Sequence, residues 1–139
     1  MKKRAFTLVE VVVSMFITLF VFVPTLKINY KQMNTHDKIY KINNGIIFFI
    51  SVYKHFENSS IFFEENFNLN FENEESFKNN EIFSSFDNRL IPKENFNLII
   101  NIKKVEVDFH NSKKEANLIK LEFKYFKKNL KLKLIKFKK

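Results

Sequence analysis

The stretch Lys2-Lys3-Arg4-Ala5-Phe6-Thr7-Leu8-Val9-Glu10 decides the layout of this chain. Three cationic side chains precede an apolar run that carries one acid at its very start. From Val11 to Val23 the residues are Val-Val-Val-Ser-Met-Phe-Ile-Thr-Leu-Phe-Val-Phe-Val, without a charge. Counted from Phe6 to Leu26, the run is 21 residues long and Glu10 is its one ionisable side chain. About 20 such residues cross a bilayer core as a helix. A secretory signal ends in small residues at an A-x-A-like peptidase site. Here the run ends in Phe22-Val23-Pro24-Thr25-Leu26-Lys27, which predicts that the helix stays attached. The positive-inside rule puts Lys2, Lys3 and Arg4 in the cytoplasm and the remainder outside the membrane.

A carboxylate inside a membrane span costs about 2.5–3.5 kcal/mol on insertion scales, so Glu10 needs a reason. Phe6-Thr7-Leu8-Val9-Glu10 behind a short basic leader resembles the N-terminal signal of type IV prepilins and type II secretion pseudopilins. The resemblance is close from residue 2 to about residue 30, and beyond that it concerns layout only. It implies cleavage between Ala5 and Phe6 by a prepilin peptidase, and N-methylation of the new Phe6 terminus. That family nearly always has Gly before the cut; Ala5, the smallest side-chain-bearing replacement, holds the place here. It further implies that Glu10 pairs with the Phe6 amine of a neighbouring subunit, or with its own, during assembly. Opposite charges attract strongly at low dielectric, and an acid in the first turn suits the helix dipole.

The implied partners are other pilin or pseudopilin subunits, the peptidase, an inner-membrane assembly platform and membrane lipid. The implied setting is the cytoplasmic (inner) membrane as a single-pass protein, then a pilus or pseudopilus. The implied role is a structural subunit of a type IV pilus, type II secretion or DNA-uptake filament. With no Cys in 139 residues there is no disulfide staple, which favours a minor pilin or pseudopilin over a major pilin. The alternative is an uncleaved single-pass membrane-anchored binding protein.

The implied fold is α+β and pilin-like: a long N-terminal helix, transmembrane in its first half, packed on a small C-terminal antiparallel β-sheet. The segments are a leader 1–5, a transmembrane and assembly helix 6–26, an amphipathic half 27–56, an acidic connector 57–94 and a basic sheet 95–139. Beyond Pro24, which should kink or locally melt the helix, Ile39, Ile42, Ile46, Phe49, Tyr53 and Phe56 recur at helical spacing as one core-facing stripe. Asn43-Asn44-Gly45 could break it, since a mid-helix Gly costs about 1 kcal/mol. A helix from Phe6 to Phe56 would be roughly 75 Å long, more than a domain of this size can bury.

The connector, Glu57 to Glu94, holds nine acids and three bases, net −6. Its many Phe residues argue for a packed irregular segment, because aromatics are depleted in disordered chains. Glu64, Glu65, Glu72, Glu74 and Glu75 lack calcium-loop spacing and glycine, so no metal and no cofactor are expected. Asn58-Ser59-Ser60 matches a glycosylation sequon, a three-residue pattern with a high chance rate.

From Lys113 to Lys139 there are eleven lysines and two glutamates, net +9. Alternation predicts strands at Leu98–Ile102, Val105–Phe109, Ile119–Tyr125 and Leu130–Leu134. Ile135 and Phe137 shift phase as a bulge would. Asn111-Ser112 and Lys128-Asn129 read as turns. Lys120, Lys124, Lys131, Lys133 and Lys136 then fall on or near the polar side of the last two strands. They are a solvated face guarding strand edges, or a contact for DNA, anionic lipid or an acidic partner. Lys, Asn, Ile and Phe all have A/T-rich codons, so genomic bias competes with function as the source of their excess.

No catalytic constellation is visible. His36, His55 and His110 are scattered and read as surface or rim residues. Cys is absent, and a single Gly permits no phosphate loop. The chain is not expected to be an enzyme.

Overall fold

The computed structural model describes residues 7–109 and 112–138. The order is α1 (Leu8–Asn58), β1 (Phe67–Phe71), α2 (Glu74–Lys78), two 3₁₀ turns (Glu81–Phe83 and Asn88–Leu90), β2 (Asn97–Phe109), β3 (Ser112–Tyr125) and β4 (Lys128–Phe137). A long N-terminal apolar helix packs through its C-terminal part on a four-stranded antiparallel sheet, an α+β pilin-like arrangement. The chain divides between Tyr40 and Lys41 into two compact units. The first is bare helix. The second holds the end of α1 and everything after it.

In the second unit the strands follow one another in the order β1-β2-β3-β4, each antiparallel to the last. Leu98, Ile100 and Ile102 of β2 pair with Phe123, Leu121 and Ile119 of β3, and all are buried. Gly45, Phe48, Phe49, Val52 and Phe56 of α1 lie against this face. Phe49 stacks on Phe123 with ring centroids 5.5 Å apart. The expected stripe is therefore half right: Phe49 and Phe56 face the core, whereas Ile39 and Ile46 are exposed. The helix turns its core side about one position away from the isoleucines, because Gly45 and Phe48 supply the contact.

Gly45 does not break α1. It lies inside the helix and is buried. A Cβ built there would sit 2.4 Å from Cδ1 of Tyr125, the last residue of β3. The one glycine of the chain thus lets an aromatic ring lie directly on the helix backbone. Tyr125 Oη donates to Glu94 Oε2 at 2.9 Å, and Lys41 Nζ lies 3.2 Å from Glu94 Oε1. The phenol is pushed well above its ordinary range, by burial first and then by its bond to Glu94. The Glu94 carboxyl is held below its ordinary range, chiefly because it accepts that bond. Pro24 likewise leaves α1 unmelted: helix runs through it without interruption, and Thr25 Oγ1 bonds to the Val21 carbonyl at 2.7 Å beside it.

The connector is more ordered than its weak periodicity suggests. It contributes β1, so the sheet gains an edge strand, and Val105–Phe109 is no separate strand but the continuation of β2. α2 is set by a capping box: Asn73 accepts from the Ser76 N–H at 2.8 Å, and Ser76 reaches back to the Asn73 N–H. This short turn aims Phe77 inward. Phe77, Phe83 and Phe86 close over Phe48, the Phe48–Phe77 pair standing edge to face at 5.1 Å. Such pairs add about 0.5–1.5 kcal/mol beyond area burial, which explains how a segment with so little secondary structure stays folded. His55 is half-buried in the same cluster, with Nε2 2.9 Å from the Ile82 carbonyl. His110 lies outside the described residues.

The β3–β4 turn is Phe126-Lys127, not Lys128-Asn129. Both turn residues have positive φ, 45° and 63°, the geometry a two-residue hairpin wants. Neither is Gly or Asn, so each costs roughly 1 kcal/mol. Phe126 packs edge-on against Tyr125, centroids 4.6 Å apart, and Tyr125 is in turn held by Gly45 and Glu94.

Two predictions follow from the Gly45–Tyr125 contact. Gly45→Ala raises helix propensity by about 1 kcal/mol yet forces the ring or the helix to move, and overpacking typically costs about 1–3 kcal/mol. Denaturant unfolding of the full chain in detergent should show a net loss of up to about 2 kcal/mol; a gain would contradict the packing. A depressed folded pKa stabilises at pH above the unfolded value, about 4.3 for Glu, and that stability is lost as pH falls through the folded value. Glu94→Gln should therefore make the acid limb of a stability–pH curve shallower below about pH 4.3. An unchanged limb would show that the Tyr125 bond carries no linkage.

Candidate functional site

The start of α1 is a capping box. Thr7 Oγ1 accepts from the Glu10 N–H at 3.3 Å, and the Glu10 carboxylate accepts from the Thr7 N–H at 2.8 Å and from the Thr7 hydroxyl at 2.9 Å. Thr-x-x-Glu is the sequence signature of this cap. It is a role for Glu10 that the cost argument overlooked, although the spacing was in plain view. The cap matters more in lipid than in water, because an unsatisfied backbone group there costs several kcal/mol. Both bonds fall on Oε2. A carboxylate has about four lone-pair sites, so the cap leaves it acceptor capacity for an incoming ammonium. Ala5 and Phe6 lie outside the described residues.

Beyond the cap every residue to Tyr40 is exposed. From Leu8 to Leu26 this includes fourteen large apolar side chains. At even 1.5 kcal/mol each, the low end for burying such a group, leaving them in water forgoes about 20 kcal/mol, more than the 5–15 kcal/mol that holds a typical domain together. The segment is long and apolar enough to cross a membrane. Its polar side chains are satisfied within the helix: Ser14 Oγ donates to the Val11 carbonyl at 2.8 Å and Thr18 Oγ1 to the Ser14 carbonyl at 2.7 Å. The helix can therefore lie in hydrocarbon with no orphan hydroxyl.

The second candidate surface is the outer face of the sheet. Lys120 pairs with Lys133 across β3 and β4, Glu122 with Lys131, and Lys124 with Asn129. These four lysines share the face turned away from α1. Lys131 Nζ is 3.0 Å from Glu122 Oε1. Lys136 is not among them. The β3–β4 register runs without a bulge to Ala116↔Phe137, so Lys136 falls on the core side. There its Nζ donates to the Phe56 carbonyl at 2.9 Å, to the Ser59 carbonyl, and to Ser59 Oγ at 3.1 Å. It caps the C-terminal end of α1, where orphan carbonyls and the helix dipole favour a cation.

The same unbroken registers explain both shifts of alternation in the sequence. Val105 and Val107 of β2, and Ile135 and Phe137 of β4, lie on the outer face. The core side beyond the end of α1 carries polar groups instead. Lys104 Nζ is 2.8 Å from Glu115 Oε1 and 3.5 Å from Glu64 Oε2; Lys138 Nζ is 2.8 Å from Glu64 Oε1 and 3.3 Å from Glu115 Oε2. Hydrogen bonds from Lys138 lower the Glu64 carboxyl, and those from Lys104 and Lys138 lower that of Glu115. The Asn117 carboxamide is fully buried and pairs with both the N–H and the carbonyl of Phe63. The apolar side of the sheet thus changes from the inner face to the outer face where the helix ends.

A capped, bare apolar helix ahead of a helix-on-sheet domain is a pilin-like arrangement that fits a membrane-anchored protein. Residues 1–26 match the family profile of the prokaryotic N-terminal methylation motif, so the chain carries the type IV pilin signature. No curated protein and no solved structure matches the chain significantly. A motif of this kind indicates a structural protein that assembles with other pilin subunits.

Proposed function

We propose that this chain is a minor pilin or pseudopilin, cut by prepilin peptidase between Ala5 and Phe6, methylated on Phe6 and assembled into a filament through Glu10. The observation that carries the reading is the bare helix from Leu8 to Leu26 with a carboxylate capping its first turn. Before assembly the helix is held in the inner membrane, with Lys2, Lys3 and Arg4 in the cytoplasm and residues beyond Lys27 outside. In the filament the helices of neighbouring subunits replace lipid. Each Glu10 carboxylate accepts the Phe6 ammonium of the adjacent subunit, two charges that are costly apart and attract strongly when dehydrated together. Head-to-tail contacts of this sort generate open helical arrays rather than closed rings.

Two measurements test the reading. Intact-mass analysis of the membrane-extracted protein should show a chain that begins at Phe6 and carries one methyl group. A chain that retains Met1–Ala5 would identify an uncleaved anchor, the role that Ala5 in place of Gly would favour. Glu10→Gln separates charge from cap, since Gln also closes a capping box. It should insert normally, keep the first turn of α1 and be lost from sheared filaments, as should Glu10→Ala, which additionally frays the turn. Normal incorporation of the Gln variant would reduce Glu10 to a cap.

A further inference from the structure

We propose that the cleft at the β3–β4 turn end of the sheet binds an acidic saccharide, a hydroxylated sugar ring that carries a carboxylate. The cleft lies in the second unit, and its ligand is independent of whether the chain enters a filament. Four features carry the assignment.

The first is shape. An open cleft of about 610 Å³ lies between the residues just after β1, the start of β2 and the β3–β4 turn. Small-molecule sites span about 300–1,000 Å³. The second is a row of polar side chains across the cleft. Asn97 of β2 pairs with Lys124 of β3, and Lys124 with Asn129 of β4. Glu72 follows Phe71, the partner of Leu98, and its carbonyl accepts from the Phe96 N–H at 3.1 Å. Strand alternation puts all four side chains on the face opposite Leu98 and Phe123, which are buried. The row reads carboxylate, carboxamide, ammonium, carboxamide over three strand spacings, about 14 Å. Such a row of donors and acceptors suits a ring with several hydroxyls, each of which both donates and accepts.

The third feature is charge. Lys124, Lys127 and Lys128 all line the cleft, and among the described residues none of the three meets a carboxylate. Glu72 lines it too, and among the described residues its carboxylate accepts one long bond, 3.5 Å from the Asn70 amide. Three cations favour an anion, and charge-assisted bonds to a carboxylate are the strong ones. The Glu72 carboxylate disfavours a densely charged phosphate chain but readily accepts from hydroxyls. The fourth feature is unmet demand. Asn97 Oδ1 is buried and, among the described residues, has no hydrogen-bond partner. Such an atom calls for a donor, which a ligand hydroxyl supplies directly or through a water. Phe126 and Lys127 take φ of 45° and 63°, where a two-residue turn prefers Asn-Gly. Strain of this kind collects at ligand sites. Here it holds an exposed ring and an ammonium at the cleft, the ring for the C–H face of a sugar and the ammonium for its carboxylate.

The test titrates the full chain in detergent micelles, at low salt, with digalacturonate, galacturonate, lactose, inorganic phosphate and a short single-stranded DNA, and reads binding by calorimetry. Digalacturonate should bind about tenfold or more tightly than lactose or phosphate, since two charge-assisted bonds and the hydroxyl contacts are absent from one or the other. Tighter binding of the dimer than of the monomer assigns the cleft to a chain of sugar acids, and equal binding to a free one; both support the proposal. Lys124→Gln with Lys128→Gln should weaken digalacturonate by about tenfold or more. Phe126→Asn with Lys127→Gly installs the preferred turn. It should keep or raise the thermal midpoint and still weaken digalacturonate, which separates loss of the site from loss of the fold. No binding of either galacturonate, equal binding of lactose or phosphate, or a turn variant that binds like the parent would overturn the proposal. So would tighter binding of the DNA, which would assign the lysines to nucleic acid.

Discussion

Fourteen apolar side chains from Leu8 to Leu26 are exposed among the described residues, and the build of the first unit answers to that deficit. Water cannot hold such a surface: the free energy forgone is about 20 kcal/mol, while folding yields 5–15 kcal/mol. Two media can hold it, lipid and a bundle of similar helices, and neither hydrogen-bonds a peptide group. The helix is accordingly self-sufficient. Thr7 and Glu10 close its first turn, and Ser14, Thr18 and Thr25 return their hydroxyls to carbonyls of the preceding turn. A segment built this way meets the demands of either medium.

The second unit solves a different problem, how to attach a small sheet to one side of a helix without disulfides. It uses close approach at one end and a cation at the other. Gly45 admits the Tyr125 ring onto the backbone, and Lys41, Glu94 and the phenol close a polar rim around it. At the far end Lys136 reaches from β4 to the carbonyls at the end of α1. Between them lies a core in which phenylalanine does most of the packing. Past the end of the helix, the sheet has no apolar partner on its inner side. There Lys104, Glu115, Lys138 and Glu64 take over, and the apolar side chains move to the outer face.

Much of this was legible in the sequence. The helix, its long apolar half, the α+β layout and the pilin signature follow from charge, run length and the residues around Phe6. The alternation located β2, β3 and β4. What was missed has physical reasons. Periodicity counts a glycine as a gap, so Gly45 read as a break although it is the tightest contact of the helix. A change of alternating phase has two causes, a bulge or a change of the buried face, and the pattern alone does not separate them; here it was the second, which moved Lys136 inward and Ile135 outward. β1 has only five residues, Phe-Asn-Leu-Asn-Phe, too few to stand out from an Asn- and Phe-rich background. Glu10 was singled out for its burial cost, and its capping bond to Thr7 was hidden behind that larger question.

The central claim is that this chain leaves the bilayer to become part of a filament. Peptide mass spectrometry of sheared, washed filaments from cells that make the unmodified protein tests it most directly. The account predicts that the fraction contains this chain and that its N-terminal peptide begins with a methylated Phe6. Recovery of the chain from membranes alone, with residues 1–5 still attached and none in the filament fraction, would contradict it.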